Sequence, residues 1–112
     1  MRLDSAAVPI TTAQIAEAAG ITPKQVRVWG KRGLLPAPQI AYRGRRGRGA
    51  VWSDGALEQS LWVRAQLEAG HTVDDVLQLL ARGAFVLDSV RELVTAGKSY
   101  AEARESLRKD SA

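Results

Sequence analysis

Cysteine is absent from this chain of 112 residues, and histidine occurs once, at His71. Without thiols there is no disulfide, no thiolate metal site and no cysteine nucleophile, and a single histidine cannot assemble a cluster of imidazole ligands. His71 reads as a solvated residue before a helix, and Asp74 and Asp75 as first-turn carboxylates facing a helix dipole, so no catalytic set remains. No apolar run approaches the roughly 18 residues of a membrane span, and no basic segment followed by an apolar one marks the N-terminus. A chain of this length holds one domain with a modest core and no large internal cavity. The expectations are a soluble, cytoplasmic, nucleoid-associated protein that is not an enzyme, binds no cofactor or metal and contacts no membrane.

Negative charge is missing from one half. The net charge is +4, but residues 1–53 carry nine Lys/Arg against two acids, a balance of +7, and residues 54–112 carry seven against ten, a balance of −3. Between Ala18 and Ser53 there is no carboxylate and there are eight basic side chains. Solvated faces ordinarily mix the two signs, so this segment points to a polyanion.

Its centre is Thr22 to Pro36. Thr22 is placed to cap a helix, Pro23 suits the first helical position, and Gln25 can close a capping box. Ile21 and Val26 stand at the spacing of a hydrophobic staple, and Gly33 followed by Pro36 ends the helix. Val26 and Trp29 point inward, which leaves Thr22, Lys24, Gln25, Arg27, Val28 and Lys31 as the candidate contact face. Gly30 costs about 1 kcal/mol within a helix, so either the helix ends early or a close contact requires the glycine.

The same device precedes it: Thr11 as cap, Gln14 closing the box, Ile10 and Ile15 as the staple, for a first helix from about Thr12 to Ala19. Gly20 then makes a sharp corner, giving the spacing of a helix-turn-helix. After it, β-leaning runs at Gln39 to Tyr42 and Ala50 to Trp52 flank a tip of four arginines and three glycines, from Arg43 to Gly49. This predicts a two-stranded wing that presents Arg43, Arg45, Arg46 and Arg48 to nucleic acid.

These residues resemble the winged-helix DNA-binding domain of MerR-type regulators and the related phage excisionases. The resemblance spans Ile10 to about Arg82 and is carried by Thr11 to Trp29, Gly33-Leu34-Leu35-Pro36, Trp52-Ser53, and Val63-Arg64 followed by Gly70-x-Thr72. It implies a helix Pro23 to Lys31 in the major groove, a wing on the backbone or minor groove, and a phosphate-contacting role for Arg27. Where the family has two aromatics and an acid after that arginine, this chain has Val28, Trp29 and Gly30.

Beyond the wing, Ser53 is expected to cap a third helix, stapled by Trp52 and Leu57, and Thr72 a fourth with Val73, Val76, Leu77 and Leu80 on one face. The segment from Val63-Arg64 to Leu80 recurs 27 residues later from Val90-Arg91 to Leu107, which predicts a second helical hairpin with Ser99 and Glu102 as its capping box. Its apolar stripes are Val86, Val90, Leu93 and Val94, then Tyr100, Ala103 and Leu107.

The expected fold is thus mainly α: an arm over 1–9, a winged helix-turn-helix over 10–82, and a helical extension over 83–112 that packs on the domain or on a partner. The expected partner is double-stranded DNA. A homodimer or head-to-tail oligomer on DNA, and a protein partner for 83–112, stay open. So do three functions: transcriptional regulator, excisionase-like architectural factor, and nucleic-acid-tethered adaptor.

Overall fold

A computed structural model describes residues 10–42, 48–96 and 99–111; the N-terminal arm, residues 1–9, lies outside the described residues. In chain order the elements are α1 (Thr12–Ala19), α2 (Pro23–Arg32), β1 (Gln39–Tyr42), β2 (Arg48–Val51), α3 (Ala56–Glu68), α4 (Val73–Ala81), α5 (Leu87–Thr95) and α6 (Tyr100–Ser111).

The helix starts follow from local chemistry. Thr11, Thr22 and Thr72 each accept the amide of the third helical residue, and Gln14, Gln25 and Asp75 each accept the cap residue's own amide. The same reciprocal pair joins Ser99 and Glu102. At α4 the hydrogen bonds from Thr72 hold the Asp75 carboxyl below its ordinary pKa. Its stabilisation is therefore present above the ordinary aspartate range and is lost as the pH falls through the lowered value.

The core is organised around α3. Ala56, Leu61, Trp62, Val63 and Ala65 are buried, as are Ser60 and Gln66, so α3 is enclosed on nearly every side. A helix covered all round has no reason for a polar face, which explains why this one lacks clean amphipathic periodicity. It packs against α1, α4, α5 and α6, most extensively against α6. Ile15, Ala18, Ala19, Val26 and Val76 from the other helices, and Leu34 just past α2, complete the centre.

Three expectations fail in detail. Ser53 does not cap α3; the cap residue is Gly55, with φ 93°, and no side chain caps the helix. The Ser53 carbonyl instead accepts the Ala56 amide at 3.1 Å, so a glycine turn delays the helix start and leaves the Trp52 and Leu57 staple out of register. Val86 does not join the α5 stripe: it is the extended residue before the helix and is 52% exposed, whereas Val90 is buried and Leu93 and Val94 pack at the core edge. The second strand starts at Arg48, not Ala50, and stops at Val51. Its pairing with β1 is antiparallel, from Gln39 opposite Val51 to Tyr42 opposite Arg48.

Trp52, just past that strand, is the joint of the N-terminal half. Its amide donates to the Ile10 carbonyl at 2.9 Å, and its indole Nε1 donates to Thr12 Oγ1 at 2.9 Å. The six-membered edge of the indole lies over Gly30, where a Cβ would sit 2.8 Å from the ring. Helix α2 continues through Gly30 to Arg32, so the close-contact reading of this glycine is the one that holds. Gly30→Ala would add helix propensity worth about 1 kcal/mol. The ring it strikes is pinned at both ends, and overpacking of that kind costs about 1–3 kcal/mol. A net loss of about 1 kcal/mol is expected in denaturant unfolding. Adding Trp52→Leu should convert the alanine into a stabilising change; a stabilised single mutant would refute the contact.

Candidate nucleic-acid interface

Helix α2 crosses α1 at a corner made by Gly20, whose φ is 71° and whose amide caps the end of α1. Val26 and Trp29 anchor α2 in the core, and Gly33, with φ 87°, closes it while the Leu34 amide returns to the Trp29 carbonyl at 2.9 Å. Gln59 of α3 donates to the Leu34 carbonyl at 2.7 Å and fixes the exit of the helix. The helix is therefore held at its start, middle and end.

Its outer face matches the sequence expectation. Thr22, Lys24, Gln25, Arg27, Val28 and Lys31 are all exposed, and Arg32 extends the face. Lys24, Arg27 or Val28, and Lys31 stand three and four residues apart, in one stripe. None of Lys24, Arg27, Lys31 and Arg32 is paired with a carboxylate among the described residues. Val28, 38% exposed, is the apolar member of this surface.

The tail is arranged in the opposite sense. Arg91 bridges Glu58 at 3.2 Å and Asp54 at 3.1 Å, and the Glu58 hydrogen bond followed by its charge raises the arginine pKa further. Arg108 pairs with Glu105, which lowers the Glu105 pKa, and Arg64 pairs with Glu68 at 3.2 Å. Arg64, Arg91 and Arg108 of the C-terminal half are thus engaged by carboxylates, and the cations of α2 are free for an external anion.

Arg43, Arg45 and Arg46 lie outside the described residues, and Arg48 is located by the backbone pairing of its strand opposite Tyr42. The strand pair reaches α2 through Trp52 over Gly30, with Pro38 also beside that glycine at 3.6 Å from the Cβ position. The strand pair and the outer face of α2 are accordingly carried on one joined support.

Residues that sequence reasoning passed over hold this support together. Arg104 of α6 donates through Nη1 to the Ala18 carbonyl, in the last turn of α1. Its guanidinium also lies 3.3 Å from the place a Cβ would take at Gly20. Helix α1 has no basic residue in its own last turn, so Arg104 supplies the cation that the C-terminal end of a helix dipole favours. That missing cation is a signal in the sequence, although it does not say which arginine answers it. Arg91 similarly pins α5 to the turn that leaves the strand pair.

A capped basic helix crossing a first at a glycine corner, with a strand pair tied to both, defines a helix-turn-helix protein. Residues 10–83 match the family described as MerR HTH family regulatory protein, and the chain belongs to that family of DNA-binding transcriptional regulators. No curated protein and no solved structure shows a significant match. Among the described residues no helix is long and apolar enough to cross a membrane, and no three His, Asp or Glu side chains gather as a metal-binding group.

Proposed function

We propose that the chain regulates transcription by inserting α2 into the major groove of duplex DNA while the arginine-rich tip beyond β1 acts as a wing on the backbone or minor groove. The observation that carries this reading is the stripe of Lys24, Arg27 and Lys31, unpaired among the described residues, on a helix fixed at both ends, whereas Arg64, Arg91 and Arg108 of the C-terminal half are each paired with a carboxylate. Thr22 and the cations meet phosphates, and Gln25 and Val28 face base edges. Arg27 is the positioning contact, which the family resemblance also implies.

The test is a salt titration of duplex affinity. Arg27→Ala should weaken binding to all sequences alike and lower the slope of log affinity against log salt by about 0.9. A change in sequence preference with an unchanged slope would place Arg27 on a base and rotate the helix.

The tail favours this reading over the adaptor. Val90, Ala103 and Leu107 are buried within their own chain, so the two tail helices are occupied in the fold. An architectural role on tandem sites would use the same face. Tandem direct repeats in a footprint would support that role, and a single site or palindrome supports the regulator.

A further inference from the structure

The two ends of the Gln25 side chain are in different chemical situations. Its Oε1 accepts the Thr22 amide at 3.0 Å and lies 3.4 Å from the Thr22 hydroxyl. In return, the Gln25 amide donates to Thr22 Oγ1 at 3.1 Å. Oε1 is therefore committed to the helix start. Nε2 has no partner among the described residues, and the residue is exposed on the outer face of α2. Helix α1 is capped by Thr11 and Gln14 through the same pair of bonds, at 2.9 and 3.2 Å, so the arrangement is the way this chain begins two successive helices.

That division decides what Gln25 can recognise. A glutamine reads adenine by giving an N–H to N7 and accepting from N6, which needs both ends of the amide. Here the acceptor is spent. Only N–H donation remains, directed at an all-acceptor edge. Guanine offers N7 and O6 side by side, whereas adenine sets its own N6 donor against the incoming amide. We infer that Gln25 is a specificity residue that reads guanine as a donor only, because Thr22 holds its oxygen in the capping box. This rests on the reading in which α2 lies in the major groove.

Gln25→Glu separates capping from reading. A glutamate closes the same box as readily as a glutamine, so the helix start is retained, while the outward donors are replaced by an acceptor. The full chain and the variant would be selected against randomised duplexes, with thermal midpoints measured in parallel. The wild type should prefer guanine over adenine roughly ten- to a hundredfold at one base pair. Gln25→Glu should keep its thermal midpoint and move that position to cytosine, whose N4 donates. The added negative charge weakens binding everywhere, so the preference is the readout and not the affinity. Gln25→Ala, which adds no charge, should lose the guanine preference with no replacement.

Adenine preferred by the wild type at the position that Gln25→Ala relaxes would overturn the inference, as would retention of the guanine preference in either variant. A wild type that binds no duplex would instead overturn the proposed function itself.

Discussion

Truncation after Arg82 should abolish cooperative folding, even though the family match ends at residue 83. The deletion removes α5 and α6 and with them Val90, Ala103 and Leu107, which are 1%, 0% and 8% exposed. Burial of a Val or Leu side chain is worth about 1.5–3 kcal/mol each. The truncated chain also loses the Arg104 bond to Ala18 and the Arg91 bridges, and bares the side of α3 that packs most extensively on any helix. A loss of about 5 kcal/mol is comparable with the whole stability of a small domain. Thermal unfolding followed by circular dichroism should show a broad, non-cooperative transition. A sharp transition within a few degrees of the full chain would mean that α3 finds other cover and that the tail is an appendage.

Replacing Arg45, Arg46 and Arg48 together with alanine should lower the salt slope of DNA binding by roughly 2.7 if all three meet phosphates. At about 1 kcal/mol or more for each charged contact, affinity should fall at least a hundredfold. Folding should be untouched, because the support of the strand pair is Trp52 and its partners Ile10, Thr12 and Gly30. Competition between specific and non-specific duplexes would distinguish two roles for the tip. Equal losses on both identify backbone contact, and a selective loss on one operator identifies minor-groove reading. An unchanged slope would remove the tip from the interface.

What could be read in the sequence is what is local. Four helix starts are written as residues three apart, Thr11 with Gln14, Thr22 with Gln25, Thr72 with Asp75 and Ser99 with Glu102; each appears in the structure as a pair of short bonds. The outer face of α2 follows from helical spacing once Val26 and Trp29 are assigned inward. The joints that hold that face are not local. Trp52 to Thr12 spans 40 residues, Arg91 to Asp54 spans 37 and Arg104 to Ala18 spans 86. Composition distinguishes none of these arginines from Arg108, which pairs within its own helix. Ser53 shows the opposite failure, since its residue type and flanks suit a cap and a left-handed Gly55 sets the helix start two residues later.

The bond between Arg104 and the Ala18 carbonyl also sets an order in time. Translation at about 5–20 residues per second places Arg104 roughly 4–17 s behind Ala18. During that interval α1 and α2 are already synthesised, but the cation that completes α1 and the helix that covers α3 are still to come. The candidate DNA-binding face on α2 is thus made before the helix that secures its support, so nascent chains stalled before α6 should remain open to protease within α1 and α2. The repeat that resembles a second copy of the α3–α4 pair acts, on this schedule, as the closing step of assembly.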